Sequence, residues 1–509
     1  MRKLIIPTSV GLVLAALALS TASCAARSAS HPPSTAAAAP ATAVDDLRRE
    51  LSALFTESRP GGPLWAVRVE SLTRPGDVVF SMQPDQLMVP ASNMKIVTLA
   101  VAADRLGWDR TFPTTFRATT RMAADGTIHG DLVVRGTGDP MIGTLPASTT
   151  SVTAIAEALW QQGVRRIDGR VIGDDDVFAD EPLGEGWAWD DVTFTYSAPV
   201  SALIYNENGA SVTIVPGAAP GMAASTSLVD PGSGLTLDNA LRTGPADAAA
   251  SIDLTRAPGS SRLTLSGTVP AHAAAITVEA AVPNPAVYFA SALRAALIAR
   301  GIVVRRQAVD IDSAPPGPFP TDVPVLLTWP SASLADIGKR LMKVSQNLYA
   351  ETLLRELAVS DGHQATAREG ADVVRSTLKV WGVADGGIAV ADGSGLSRYD
   401  LVSPTALVRV LAHVYSDPRL KDEWMAAMPV GGVDGTLGKR LKGTPAEGRV
   451  HAKTGSLSGV RGLSGYIESA GGEWFVFSIL ANNFAAPATG ADVEHVMDEA
   501  MIRLATFTR

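Results

Sequence analysis

The sequence predicts an α+β fold: an antiparallel sheet flanked by helices, interrupted along the chain by a large β-rich insert. Three observations lead there. Apolar residues recur at helical spacing near both ends, with Leu47, Leu51, Leu54 and Phe55 at one end and an amphipathic stretch at 491–504 at the other. Hairpin patterns lie just inside those helices: 65–70 with 78–82 across Arg74-Pro75-Gly76-Asp77, and 462–469 with 474–482 across Gly471-Gly472-Glu473. Between them, from 117 to 316, the texture becomes short alternating strands separated by Gly and Pro.

Taken in order, the chain begins with the positive Met1-Arg2-Lys3, a mostly apolar run at 4–19, small residues at 20–23 and Cys24, its only cysteine. Residues 1–24 read as an export signal, too short and wrongly flanked for a good membrane span. Cys24 has two readings. One is the lipid-accepting cysteine of a bacterial lipoprotein; the other is a residue removed with the signal by cleavage near Ala25. Thr21 stands where lipoprotein sites usually carry Leu. A single cysteine excludes an intrachain disulfide. Residues 25–44, rich in Ala, Pro and Ser, read as a flexible linker. Ser92 opens a helical run carrying Met94, Ile96, Val97, Leu99, Ala100 and Val101, with Pro90 just before it. A serine there, considered alone, is best read as an N-cap. The insert shows strands at 132–135, 170–173, 211–215, 262–265 and 275–280 and a helix at 152–162, and is expected to form two small lobes. A helix at 285–300 leads out, and helical patterning returns at 333–343 and 345–357.

At 509 residues the chain is long enough for two to three domains. An apolar fraction of 46% with 18% charged residues is globular. A formal net charge of -8 argues against a nucleic-acid partner. Seven scattered histidines, without HExxH or a Cys/His cluster, give no support for a metal, and no cofactor is expected.

Three strings carry the chemistry: Ser92-Asn93-Met94-Lys95, Ser345-Gln346-Asn347 and Lys453-Thr454-Gly455. In that order they are the signature of penicillin-recognising serine enzymes. Ser-x-x-Lys by itself is weak, with about one chance match expected in a chain of this size. Ser376-Thr377-Leu378-Lys379 is such a match, rejected because it follows Ser-x-Asn, lacks a preceding Pro-Ala and fits an exposed helix face. Singly, a lysine is usually solvated, and Ser345 or Asn347 is usually a cap or turn; ordered co-occurrence makes the set specific. One helical turn puts Lys95 over Ser92, so its amine can take the hydroxyl proton. For that the amine must be neutral, either through burial or through a neighbouring cation such as Lys453. Ser345 would relay a proton to the leaving amine. Asn347 would hold Lys95 and the substrate amide. Lys453 with Thr454 would bind a terminal carboxylate, and Gly455 would let its strand approach the substrate backbone. The backbone N–H groups of Ser92 and Ser456 would form the oxyanion hole.

With these motifs in place, the chain resembles the class C low-molecular-mass penicillin-binding proteins of the D-alanyl-D-alanine carboxypeptidase/endopeptidase type, peptidase family S13. The long stretch between Ser92 and Ser345 fits that family's insert. Further matching strings are Gly138-Asp139-Pro140, Trp187-Ala188-Trp189-Asp190-Asp191, Ser201-Ala202-Leu203 with Asn206-Glu207-Asn208, Asp392-Gly393-Ser394-Gly395-Leu396-Ser397, Asp434-Gly435-Thr436-Leu437 and the run from Lys453 to Gly459. The resemblance implies a serine β-lactamase/DD-peptidase-like catalytic domain at 45–116 and 317–509, interrupted by the insert at 117–316. It implies hydrolysis of D-Ala-D-Ala ends or cross-links of bacterial peptidoglycan stem peptides, and acylation by β-lactam antibiotics. Export would place the chain in the periplasmic or extracytoplasmic space, lipid-anchored to the outer face of the plasma membrane if Cys24 is the lipoprotein cysteine.

A cross-link bears a zwitterionic diamino-acid head, whose recognition takes a cation and an anion near the cleft. Arg398 is the candidate cation and Asp190 or Asp191 the candidate anion; ordinary surface charges are the alternative. Three other functions compete. A β-lactamase would share the motifs, but the insert is far too large for class A and no deacylation-glutamate string is present. A non-catalytic wall-binding protein would be expected to lose one of the intact motif residues. A biosynthetic transpeptidase would carry a transmembrane helix and a glycosyltransferase segment.

Overall fold

A five-stranded antiparallel sheet frames the molecule, in the order Val78–Met82, Leu64–Ser71, Trp474–Asn482, Val460–Glu468, Val450–Leu457. The computed structural model describes residues 42–56, 61–230, 232–314, 323–360 and 362–509, so the export segment and Cys24 lie outside the described residues. Leu64–Ser71 pairs along its whole length with Trp474–Asn482, which joins strands about 400 residues apart in the sequence. The central strand Trp474–Asn482 is covered on both faces, so it reads as a continuous apolar run. Its residues still alternate: Phe475, Phe477 and Ile479 enter one core, Val476 and Leu480 the other.

The first core lies under α1 (Ala43–Thr56) and the C-terminal helix, where Leu47, Leu51 and Phe55 meet Met497, Met501 and Leu504. On the opposite face α2 (Met94–Leu106) is buried from Met94 to Ala103, apolar on every side but for Lys95 and Thr98 because helices enclose it. The chain then enters the insert. Thr114–Ala118 pairs antiparallel with Val325–Trp329, and both belong to a sheet that also holds Leu132–Arg135, Val171–Asp174 and Val309–Asp310. Helices α3 (Val152–Gln161) and α4 (Pro285–Arg300) pack on it. Smaller sheets follow, one of Gly209–Val215, Ser225–Leu228 and Ile276–Ala281, another built on Arg262–Pro270. All share one buried core, in which Phe116, Leu132, Ile214, Leu263 and Phe289 are members.

After the insert come α5 (Leu334–Lys343), α6 (Asn347–Glu356), α7 (Ala367–Val380), α8 (Pro404–Ser416), α9 (Lys421–Ala427) and α10 (Gly490–Thr506). Among these, α5 to α8 pack around α2. Helix α6 starts two residues later than its apolar pattern suggests, because Gln346 is its N-cap and Ser345 adopts φ +63°. Ser376 and Lys379 are both exposed on α7, as expected for the rejected match. Among the described residues no helix is long and apolar enough to cross a membrane.

Candidate active site

Pro90 and Ala91 turn the chain sharply into a single 3-10 turn, Ala91–Asn93, which runs into α2. Ala91 sits at φ +47°, in the left-handed region that costs a non-glycine residue energy. No side-chain cap bond is made at this helix start, so Ser92 is not the N-cap that its position alone suggests. Two glycines permit neighbouring strands and loops to close on the turn. A Cβ on Gly395 would lie 1.8 Å from the Ala91 carbonyl oxygen, and one on Gly455 would lie 2.7 Å from that of Pro90. Gly455 therefore permits close packing of its strand against the Ser92 turn, a constraint additional to the approach to substrate expected from sequence.

Lys95 Nζ is 3.0 Å from Ser92 Oγ, 2.6 Å from Asn347 Oδ1 and 2.8 Å from the Ser394 carbonyl oxygen. The latter two groups only accept. A neutral amine spends its two N–H bonds on them, and its lone pair is left facing the Ser92 hydroxyl. Burial lowers the Lys95 amine to about 7, opposed by the nearby Asp392, Glu351 and Asp400 carboxylates. Of the two causes weighed from sequence, burial is the larger for Lys95.

Those carboxylates also shape the loop beneath. Glu351, one turn after Asn347 on α6, accepts from the backbone N–H groups of Gly393 (3.0 Å) and Ser394 (2.9 Å). Asp392 accepts from Ser394, Gly395 and Ser397 N–H and from the Trp187 indole at 2.9 Å. Burial, reinforced by Asp392, pushes the Glu351 carboxyl up, and Arg355 opposes it from 3.6 Å.

Across the cleft Lys453 is equally buried. Its Nζ donates to Ser345 Oγ and to the Thr454 carbonyl, both at 2.8 Å. Burial first, and then the charge of Lys95, hold this amine well below its ordinary value. Val450–Leu457 is the edge strand of its sheet; residues 429–431 bond to its outer side only at 450–452, ahead of Lys453. Thr454 Oγ1 donates to Thr436 Oγ1 at 2.7 Å. Asn347 Nδ2 donates to the Tyr196 carbonyl of the insert at 2.7 Å.

These groups open onto a cleft of about 640 Å³ lined by Ser92, Ser345, Asn347, Thr454, Ser456 and Arg398, with Asp190, Asp191 and Tyr196 from the insert. Arg398 Nη2 donates to the Ser458 carbonyl at 2.8 Å, and Asp191 Oδ1 accepts from the Tyr196 hydroxyl at 2.6 Å. A larger groove of about 830 Å³, between Glu181–Glu185 of the insert and α7, is lined by none of the three motifs. All residues chosen from sequence thus come together, with Lys95, Lys453 and Gly455 just below the surface. Sequence reasoning missed the Ser394 and Tyr196 carbonyls, Glu351, Asp392 and Thr436 as parts of the site. A backbone carbonyl leaves no residue-type signal, and Asp392 and Thr436 were visible only as members of matching strings.

The model of the D-Ala-D-Ala carboxypeptidase 3 (S13) family matches residues 47–504. The chain belongs to that family. Its function is that of a serine DD-peptidase. The D-alanyl-D-alanine carboxypeptidase of Actinomadura sp. (strain R39) is 33% identical over 473 residues, covering 91% of this chain and 85% of the relative. D-alanyl-D-alanine carboxypeptidase DacB of Haemophilus influenzae is 28% identical, covering 80% of this chain and 83% of the relative. The crystal structure of penicillin binding protein 4 from Haemophilus influenzae superposes with a TM-score of 0.76 at 25% identity, covering 91% of this chain and 99% of that one. In the S13 chain described here, the three motifs and the insert therefore sit within one matched span.

Proposed function

We propose that the chain cleaves D-Ala-D-Ala ends and cross-links of peptidoglycan stem peptides through an acyl-enzyme on Ser92. The observation that carries this reading is the Lys95 amine, poised near neutrality with two pure acceptors fixing its N–H bonds and Ser92 Oγ on its remaining side. Ser92 Oγ attacks the carbonyl of the penultimate D-Ala while Lys95 takes its proton. The N–H groups of Ser92 and Ser456 hold the oxyanion. The proton that Lys95 took is relayed through Ser345, in contact with Lys453, to the leaving amine as the C–N bond breaks, which leaves Lys95 neutral again. Lys453 and Thr454, the latter steadied by Thr436, hold the terminal carboxylate. Asn347 fixes Lys95 with its oxygen; its amide nitrogen carries two hydrogens, so one serves Tyr196 and the other the substrate amide. Water then attacks the ester with Lys95 again as base, and Ser92 is regenerated.

Arg398, with Asp190 or Asp191, binds the zwitterionic head of a diamino-acid side chain in this reading; all three line the cleft. The catalytic body at 45–116 and 317–509 and the insert at 117–316 form two parts of the reading. Thr114–Ala118 and Val325–Trp329 pair with each other inside the insert's sheet, so in this reading the insert begins near 114 and ends near 329, a little outside the bounds expected from sequence. The substrate implies an extracytoplasmic protein, delivered by the export signal at 1–24, with Cys24 either its lipid anchor or removed with the signal.

The test is intact-protein mass after addition of benzylpenicillin, beside Ser92→Ala. The expected result is a lasting increase equal to one penicillin, absent in the variant, together with release of D-Ala from a stem pentapeptide. Penicillin destroyed without an adduct, or left intact, overturns the reading.

A further inference from the structure

We propose that Glu207 of the insert is the positioning residue that holds the Ser345-Gln346-Asn347 turn in its working conformation. The proposal rests on the acyl-enzyme reading above and gives the insert a part in it.

Asn206, Glu207 and Asn208 form three consecutive non-glycine residues with left-handed backbone, at φ +50°, +52° and +56°. Asparagine tolerates that region; glutamate rarely enters it. Both asparagines are buried and tied within the insert. Asn206 Oδ1 accepts from Thr144 N at 2.7 Å, and Asn208 Nδ2 donates to the Pro199 carbonyl at 2.8 Å. The turn they anchor presents one carboxylate to the catalytic helices. Glu207 Oε1 accepts from Arg340 Nε at 2.7 Å, Arg340 Nη2 at 2.6 Å and the Tyr349 hydroxyl at 3.0 Å. Glu207 Oε2 accepts from Gln346 Nε2. An unusual backbone conformation is thus maintained where it delivers a charge to α5, to α6 and to the residue between the two motif members. Backbone strain that the surroundings over-determine is a mark of functional positioning.

Gln346 is the member of Ser-x-Asn that the chemistry does not use. Its Nε2 meets Glu207, and its Oε1 accepts from Leu348 N at 3.2 Å, capping α6. Beside it Ser345 stands at φ +63° without being glycine, and its hydroxyl must meet Lys453 Nζ at 2.8 Å. Asn347 follows, 2.6 Å from Lys95. A tether on Gln346 therefore fixes both flanking residues at once.

The experiment measures benzylpenicillin acylation, separating the acylation rate constant from the dissociation constant of the prior complex, with melting temperature alongside. Glu207→Gln places an amide NH₂ against donors from either α5 or Gln346. Gln346→Glu places two carboxylates together. The double variant restores an acceptor facing a donor with the polarity reversed. Each single variant is expected to lower the acylation rate constant by roughly tenfold or more, with the dissociation constant within about twofold. The double variant is expected to recover most of that loss. Wild-type rate constants in the singles, or a loss the double does not rescue, overturn the proposal. A purely structural role would lower the melting temperature without changing the rate per active site, which also overturns it. Should Glu207→Gln not fold, Gln346→Ala, which leaves the insert intact, must show the same rate loss. If the wild-type protein takes up no penicillin at Ser92, the acyl-enzyme reading falls and the proposal with it. If it does and the variants match it, only the proposal falls.

Discussion

Lys95 and Lys453 are both fully buried in one cleft, yet their surroundings differ in one respect. Around Lys95, the Asp392, Glu351 and Asp400 carboxylates work against burial and leave the amine near 7. The causes acting on Lys453 are burial and the positive charge of Lys95, with no carboxylate among them, and its amine lies well below the ordinary range. The same residue type in the same core is thus given two properties by the charges around it. The first can gain and lose a proton near neutrality. The second lacks an anion until one arrives, and a substrate's terminal carboxylate is such an anion.

The sharpest way to break this division is to change each lysine and split the effect. Lys95→Arg keeps a cation but removes any accessible neutral form, because a guanidinium does not deprotonate. Its acylation rate constant with benzylpenicillin is expected to fall by about 10³-fold or more, with initial binding little changed. Lys453→Ala removes a charged hydrogen bond to the carboxylate, and a loss of about 10²-fold is expected, chiefly in the binding step. Equal losses in the chemical step for both variants would mean that the two amines do not divide the work.

A smaller effect tests the counter-charges. The neutral form of Lys95 becomes populated as pH rises through about 7. Acylation should therefore rise about tenfold per pH unit below that value and level off above it. Asp392 is the largest influence raising the Lys95 amine, so Asp392→Asn should move the midpoint down. Rates of penicillin uptake between acid and mildly alkaline pH give both midpoints. An unmoved or raised midpoint would sever Lys95 from Asp392.

How much of this was legible in the sequence depends on range. Helix α4 was readable at its observed bounds, because Asn284 caps it, Pro285 occupies its first position and Gly301 ends it. The hairpins at either end were readable from period-two alternation and Gly-rich turns. The nucleophile, both lysines and Ser345 with Asn347 were readable because three spaced strings must co-occur. The carboxylates that tune Lys95 were not, since Glu351 and Asp392 lie on separate elements that meet only in the fold. Nor was the packing constraint on Gly455, which depends on the turn of Pro90 passing beside it. The left-handed Ser345 carried no glycine to mark it. Local chemistry was visible; what one element does to the charge or backbone of another was not.

The smallest expected effect sharpens the comparison most cleanly, because it touches one side only. Thr436 meets Thr454 through a single hydroxyl contact of 2.7 Å, on the strand that carries Lys453. Thr436→Val keeps the shape and removes that bond. A hydrogen bond of this kind is worth about 0.5–1.5 kcal/mol, a factor of roughly 2 to 13. The change should appear in the dissociation constant of the penicillin complex, because Thr454 belongs to the carboxylate-binding side. The pH midpoint of acylation should stay where the wild type has it, since the carboxylates around Lys95 are untouched. A shifted midpoint would show that the Lys453 strand also tunes the base, and the two lysines would then have to be treated as one coupled pair.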